Sequence, residues 1–423
     1  MLSRARRLSR MLAGGSLAVA VAAAVALAAG PAVSAAAAPT TATALADSVR
    51  EQQQWVFTML NMEPAWAQTE GANVTVAVID SGVDPNVSDL TNSVLTGTDF
   101  TNLKTPRTNP NWGQHGTWMA SIIAGHGDGF DDENGILGVA PAAKILSIRV
   151  IPDTTDPGYK KYDSEPETII QNELAEGIRQ AVDRHAQVIS MSIGYSAPSA
   201  KVRAALQYAY SRGVVLVASS GNSGNNDEQH AHGAHGWAPV SFPAEYPGVI
   251  GVGAVTIDRQ PTSFSSGNLS VQVAAPGKSV PAQGRNGEYY TVSGTSPACA
   301  LVAGVAALIK SKYPKITPAE VMEALTTTAR QPLAGGGYNV LTGFGVVNAG
   351  AAMTEAGKLM HEHAAGTRVA LSAHFGGGPA AIPAAPVGPR GSAQLVMFAL
   401  LALVSLAAAG GGLAVLRRRS DHG

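Results

Sequence analysis

Short runs of continuous apolar residues recur along the middle of the chain. Each run is predominantly apolar, and none alternates with polar residues over its whole length. Runs of this kind are typical of strands that are buried on both faces of a parallel sheet. They cover residues 73–79, 143–151, 187–193, 213–219 and 248–255.

Helical patterns separate these runs. Apolar residues recur at near-helical spacing over 167–186, and a similar pattern over 199–213 ends in a glycine that suits a helix cap. The alternation predicts an α/β fold with a doubly wound, mostly parallel sheet and helices on both faces. In such folds the functional site lies at the carboxyl ends of the strands.

The two ends of the chain carry membrane signals. Residues 1–38 combine a basic start, an apolar stretch and small-residue cleavage sites, which indicates a signal peptide. An uncleaved anchor is the alternative. An uncharged run predicts a transmembrane helix over 393–416, and the arginine-rich tail 417–423 is expected in the cytoplasm. The chain is therefore expected to be a single-pass protein of the cell membrane, with its main domain outside the cytoplasm.

Composition divides the remaining chain into three parts. These are an N-terminal extension over 39–70, a main domain over 71–358 and a Gly/Ala/Pro-rich linker over 359–392. The extension is too short to fold alone and is expected to form one or two helical turns. The segment around Trp55 and Trp66 is therefore expected to pack against the main domain.

Charge and cysteine content narrow the function further. The chain has 29 Lys and Arg against 30 Asp and Glu, which argues against nucleic-acid binding. Cys299 is the only cysteine in the sequence, so an internal disulfide is excluded. The main domain must be stabilised by core burial or by bound ions.

Four polar residues lie at the ends of predicted strands or the starts of predicted helices. Each also has a structural interpretation. Asp80 could be a turn residue or helix cap, Asn222 a turn residue, and His115 a structural residue at a helix start. Ser296, which precedes a proline, could be an N-cap. A helix is expected to begin right after the histidine and to stop at Gly125. The four residues are Asp80, His115, Asn222 and Ser296.

Taken together, these residue types point to nucleophilic catalysis, because a parallel sheet gathers such positions at one edge. A serine hydroxyl becomes a nucleophile when an imidazole takes its proton, and a carboxylate fixes the imidazole tautomer. The tetrahedral intermediate also needs hydrogen-bond donors for its oxyanion. The side chain of Asn222 and the backbone N–H of Ser296 are candidates.

The motifs "VIDSGV", "HGTWMASIIAG", "SSGN" and "SGTSPACALVAG" occur in an order that resembles the subtilisin-like serine proteases, the subtilases. The resemblance runs from about residue 74 to residue 349. It implies Asp80 as orienting acid, His115 as general base and acid, Ser296 as nucleophile and Asn222 as oxyanion donor. It also implies a substrate-binding segment formed by Ser192, Ile193 and Gly194.

The signal peptide, linker, single C-terminal helix and basic tail further resemble mycosins, the membrane-anchored subtilases of type VII secretion. Two departures from the subtilase pattern concern the site. Pro297 directly follows Ser296, and the large side chains of Trp118 and Met119 follow His115. Pro297 leaves the N–H of Ser296 in place.

Two loops carry possible metal ligands. The segment 126–135 contains Asp128, Asp131, Asp132 and Glu133, a candidate calcium site for which a solvated acidic loop is the alternative. The segment 225–237 contains three histidines, which suit either zinc or, as the favoured interpretation, a surface loop. The expected chemistry needs no cofactor, and no metal ligand is assigned.

These observations predict a membrane-tethered serine endopeptidase that cleaves proteins or peptides through an acyl-enzyme. The resemblance to mycosins adds components of type VII secretion as expected partners, besides the membrane itself. The alternative is a subtilase-fold scaffold, weak or inactive in catalysis, that stabilises a membrane secretion complex.

Overall fold

The structure is a computed structural model that describes residues 42–128, 134–224, 238, 240–330 and 337–364. The predicted signal peptide, the predicted transmembrane helix over 393–416 and the histidine-rich loop over 225–237 lie outside these residues. Within the described part, no helix is both long enough and apolar enough to cross a bilayer.

Eleven strands occur in the described part of the chain. In chain order they are β1 Thr75–Asp80, β2 Val94–Asp99, β3 His126–Asp128, β4 Asn134–Leu137, β5 Lys144–Arg149, β6 Val188–Met191, β7 Val215–Ser219, β8 Val249–Val255, β9 Val271–Pro276, β10 Val280–Gln283 and β11 Tyr289–Val292.

Seven of these strands form one sheet in the order β2-β5-β1-β6-β7-β8-β9. Every pairing within this sheet is parallel. The five apolar runs correspond to β1, β5, β6, β7 and β8, as predicted. The two remaining pairs, β3 with β4 and β10 with β11, are antiparallel.

Nine helices occur in the same described residues. They are α1 Ala42–Leu60, α2 Glu63–Trp66, α3 Gln114–Ala124, α4 Tyr159–Asp163, α5 Glu167–Asp183, α6 Ala200–Ser211, α7 Thr295–Lys312, α8 Pro318–Thr327 and α9 Ala349–Ala364.

Helices cover both faces of the sheet. Successive strand residues point to opposite faces, and β1 shows the division clearly. Val76 and Val78 join a core cluster with α3 and α7, whereas Ala77 and Ile79 join a second cluster with α5 and α6. The fold class predicted for the main domain is therefore confirmed.

The N-terminal extension is part of the main core. α1 is a helix of 19 residues rather than one or two turns, because buried residues recur at helical spacing along it. Phe57 and Leu60 are buried in the cluster that also contains α3 and α7. The ring of Phe57 packs edge-to-face on Trp66 at 4.9 Å, and Trp66 Nε1 donates to the carbonyl of Val139 at 2.9 Å. The segment thus packs against the main domain as expected.

Two further hydrogen bonds join α1 to the end of β4. The side chain of Gln53 both donates to the carbonyl of Leu137 and accepts from its N–H.

At the other end of the domain, α9 continues through Ala364, so residues 359–364 of the predicted linker are helical. Leu359 and Met360 explain this extension, because both pack against the core.

Candidate active site

The carboxylate of Asp80 and the imidazole of His115 are hydrogen-bonded. Asp80 is the last residue of β1 and is almost fully buried, and its Oδ1 lies 2.8 Å from Nδ1 of His115. The same oxygen accepts the backbone N–H of Ser81 at 2.6 Å. The pairing places the Nδ1 proton of His115 toward the acid and leaves Nε2 for other chemistry.

A close approach of α3 to β1 makes this pairing possible. α3 begins at Gln114, so His115 lies in its first turn rather than before it, while the predicted stop at Gly125 is observed. A Cβ atom at Gly116 would lie 2.0 Å from the carbonyl oxygen of Gly82. Any side chain at position 116 would therefore push α3 away from the strand that carries Asp80.

A second carboxylate, Asp153, supports the start of the same helix. Its two oxygens accept the backbone N–H groups of Gln114 at 2.8 Å and His115 at 2.9 Å. Asp153 is buried, with 8% of its surface exposed. A carboxylate at the positive end of a helix satisfies N–H groups that have no partner within the helix. Asp153 therefore fixes the backbone from which the imidazole extends.

Burial and two carboxylates act in opposite directions on the pKa of His115. Burial lowers this pKa, but the charge and hydrogen bond of Asp80 and the charge of Asp153 raise it, and the result is a pKa above the usual 6.5. Burial also raises the pKa of Asp153, against the effect of the two N–H groups it accepts. A histidine in this range can both take and return a proton near neutral pH.

Ser296 lies in the first turn of α7, not at its N-cap. The helix begins at Thr295, and Gly294 is the capping residue. Its φ of 155° is one that L side chains rarely adopt, so glycine is required there. The N-cap interpretation of Ser296 is therefore wrong, because the chain enters the helix two residues earlier. Pro297 follows Ser296 in the first turn, where a missing N–H costs no helical hydrogen bond.

The side chain of Asn222 is oriented by Thr295. Its Oδ1 accepts the backbone N–H of Thr295 at 2.8 Å and the hydroxyl of Thr295 at 3.0 Å. Because the oxygen is engaged, the Nδ2 group faces away from Thr295 with donors available to another acceptor. The helix that carries Ser296 thus also orients Asn222.

Two cavities meet beside Ser296. His115, Asn222 and Ser296 line a cavity of about 410 Å³, which we call the aromatic pocket because Trp118 and Tyr290 form part of its wall. Asn222 and Ser296 also line a second cavity of about 320 Å³. We call it the hydroxyl pocket, because its wall includes Ser219, Ser241, Ser266 and Thr295.

The predicted substrate-binding segment divides between cavity and core. Ser192 and Gly194 line the hydroxyl pocket, and the hydroxyl of Ser192 donates to the carbonyl of Ser296 at 3.3 Å. The side chain of Ile193 points the other way, into the core cluster with α5 and α6. Adjacent residues of an extended segment alternate in direction, which explains the difference.

Sequence reasoning missed the supporting residues Asp153, Thr295 and Tyr290. Asp153 lies in a loop after β5, and the signal that could have found it was its place just beyond a predicted strand, where the other site residues also lie. Tyr290 belongs to the hairpin formed by β10 and β11, which carries no long apolar run.

The candidate calcium loop is only partly described. Of its acids, Asp128 belongs to the described residues, and these contain no cluster of three or more metal-binding side chains. At the end of the loop, Arg50 of α1 donates Nε–H to the carbonyl of Gly135 and Nη2–H to that of Asn134, both at 2.9 Å. A guanidinium therefore binds carbonyls of the kind that calcium prefers, which does not favour a cation at these two oxygens.

An acid–imidazole pair and a serine at the carboxyl edge of a parallel sheet have the arrangement of an α/β serine hydrolase. A family model described as the subtilase family matches residues 71–348. The chain therefore belongs to the subtilase family of serine proteases.

Known relatives agree with this assignment. Subtilisin DY of Bacillus licheniformis is 35% identical over 260 residues, which cover 62% of this chain and 85% of that protein. Subtilisin E of Bacillus subtilis is 36% identical over 261 residues, and the chain spans only 61% of its length. The major intracellular serine protease of Bacillus subtilis is 32% identical over 290 residues, covering 66% of this chain and 84% of that protein.

Solved structures of mycosins are similar in fold. The crystal structure of MycP1 from the ESX-1 type VII secretion system has a TM-score of 0.59 and 30% identity, and the match covers 71% of this chain and 85% of that chain. The MycP3 protease from the ESX-3 type VII secretion system has a TM-score of 0.56 and 30% identity, with 71% and 87% covered.

Proposed function

We propose that this protein is a serine endopeptidase tethered to the outer face of the cytoplasmic membrane, where it serves type VII protein secretion. One arrangement carries the catalytic part of the proposal. Asp80 and His115 form a hydrogen bond of 2.8 Å, and the imidazole of His115 lines the same cavity as Ser296.

Catalysis would follow from the roles that this geometry allows. His115 takes the proton of the Ser296 hydroxyl through Nε2 as the oxygen attacks the substrate carbonyl. Asp80 stabilises the imidazolium that results. Nδ2 of Asn222 and the backbone N–H of Ser296 donate to the oxyanion. His115 then gives its proton to the leaving amine. In the second half of the reaction His115 takes a proton from water as the water oxygen attacks the acyl carbon, and returns that proton to the Ser296 oxygen as the acid product leaves.

The location and the link to secretion rest on other observations. The apolar segments over 1–38 and 393–416 and the arginines after the second support a tethered protein with an extracytoplasmic domain. The similarity to MycP1 and MycP3, whose structures are described as parts of type VII secretion systems, supports that partner class. Spheroplasts treated with an added protease test this topology. We expect the protease to cleave the main domain and to leave the C-terminal tail protected.

Labelling with a fluorophosphonate probe tests the catalytic role. The full chain in detergent is expected to react with the probe, whereas Ser296→Ala should not. Ser211→Ala is a matched control, because this exposed serine at the end of α6 lines neither cavity. Labelling of the Ser296→Ala variant at the wild-type level would remove Ser296 from the role of nucleophile.

A scaffold function makes a different prediction in cells. In a deletion strain complemented with Ser296→Ala, a loss of secretion at normal protein level supports the peptidase proposal. Full restoration of secretion would show that the fold, and not its chemistry, is what the secretion system needs.

A further inference from the structure

The two pockets beside Ser296 differ in chemistry. The wall of the hydroxyl pocket is made largely of small residues, with Ser192 and Gly194 on one side. The aromatic pocket is bounded instead by Trp118, Tyr290 and Pro297. A peptide that crosses Ser296 therefore meets two pockets of different chemistry, one lined by small polar residues and one by aromatic rings.

The proton path decides which half of the substrate enters which pocket. In the proposed mechanism the general acid must reach the nitrogen of the leaving amine. His115 lines the aromatic pocket and is not part of the wall of the hydroxyl pocket. The amine half of the substrate therefore lies on the side of the aromatic pocket, and the acyl half lies along Ser192 and Gly194.

Trp118 is held in position from two directions. It lies three residues after His115 on α3, so both side chains share one face of the helix. Its ring packs edge-to-face on Tyr290, with centroids 5.3 Å apart, and against the imidazole at 6.1 Å. Tyr290 is fixed in turn by its hydroxyl, which donates to Glu288 at 2.5 Å. The wall of the pocket is thus preorganised and faces the reacting groups.

We propose that the aromatic pocket binds an apolar side chain of the residue that follows the scissile bond, and that Trp118 determines this preference. This inference rests on the proposed peptidase function and adds a substrate class to it. Burial of an apolar side chain against the rings of Trp118 and Tyr290 stabilises the complex with the substrate that carries this side chain. An acidic side chain would lose water there, and two wall residues, His115 and Tyr290, are already bonded to carboxylates that would oppose its charge.

Acyl transfer tests the pocket without knowledge of the natural substrate. The acyl-enzyme is formed from a peptide methyl ester and is then captured by leucinamide or by glycinamide in competition with water. The capture ratio of leucinamide to glycinamide reports the leaving-group side alone. We expect wild type to favour leucinamide by at least about 10-fold, the lower end of the discrimination that one methylene group gives in an apolar pocket. In Trp118→Ala this ratio should fall toward one.

Controls separate the possible outcomes. Tyr210→Ala removes an exposed aromatic ring that lines neither pocket and should keep the wild-type ratio. If Trp118→Ala does not fold, Trp118→Phe and Tyr290→Ala provide smaller changes whose ratios should lie between wild type and one. An unchanged ratio in folded Trp118 and Tyr290 variants would overturn the inference, and so would a wild-type ratio near one. A wild-type protein that forms no acyl-enzyme would instead contradict the proposed function.

Discussion

The backbone N–H of His115 donates to a buried carboxylate oxygen of Asp153 at 2.9 Å, while the imidazole of the same residue bonds to Asp80. The candidate base is therefore fixed by two acids, one through its main chain and one through its ring. Both charges favour the protonated imidazole and raise the pKa of His115 against the effect of burial.

The pH dependence of labelling should report the second acid. Only neutral His115 can take the serine proton, so the labelling rate should rise with pH through the raised pKa of His115. Asp153→Asn removes a negative charge that favours the imidazolium, so the pKa of His115 should fall and the rise should move to lower pH. Loss of charged hydrogen bonds should also reduce stability, by about 1–3 kcal/mol.

Fluorophosphonate labelling rates between pH 5 and pH 9 give the measurement for Asp153→Asn. Asp258→Asn, at an exposed acid, is the control and should keep the wild-type profile. A folded Asp153→Asn protein with an unmoved profile would show that Asp153 acts on helix stability only.

Asn222→Ala should lower kcat and leave KM nearly unchanged, because in the proposed mechanism its Nδ2 donor acts mainly on the oxyanion. The expected loss is about 10²- to 10³-fold, the size measured for the corresponding change in a subtilisin. Asn222→Asp is a useful second variant, since its carboxylate can still accept from Thr295 but cannot donate. Steady-state kinetics on a cleaved peptide should show a large loss in both variants. Wild-type kcat in the Asp variant would rule out the donor role.

Leu60→Ala should destabilise the whole domain, because Leu60 is fully buried in the main core although it belongs to the N-terminal extension. The expected cost in the free energy of unfolding is about 2–5 kcal/mol. Gln52→Ala, on the exposed side of the same helix, should change it by less than about 0.5 kcal/mol. Chemical denaturation measures both, and equal stabilities for the two variants would exclude α1 from the cooperative core.

Arg50→Met should destabilise the protein by about 1.5–3 kcal/mol, the contribution of hydrogen bonds from a charged group. Arg203→Met, at an exposed arginine of α6, serves as control. Chemical denaturation measures both variants, and an Arg50→Met protein as stable as the control would show that the two hydrogen bonds of Arg50 add nothing to the free energy of unfolding.

The central strands were predictable because they are buried on both faces. β1, β5, β6, β7 and β8 therefore appear in the sequence as predominantly apolar runs. The edge strand β2 was not predicted. All of its residues are partly or largely exposed, so it lacks such a run. The same holds for the hairpin of β10 and β11, whose second strand is only partly buried.

The candidate site was predictable in part for a similar reason. Asp80, His115, Asn222 and Ser296 lie at strand ends and helix starts, positions that local sequence patterns mark. The contribution of Asp153 depends on a loop that returns to the start of α3, and no local pattern encodes that return. The length of α1 was underestimated because its buried residues contact a domain that begins later in the chain.

α7 is buried continuously from Pro297 to Lys310, and Ser296 is joined directly to that buried stretch. Warming cannot release the serine by loosening a surface loop, since the backbone on its carboxyl side is enclosed by the sheet and neighbouring helices. Heat inactivation and melting of the hydrophobic interior should consequently be one event, in which Ser296 keeps its position until the interior itself opens.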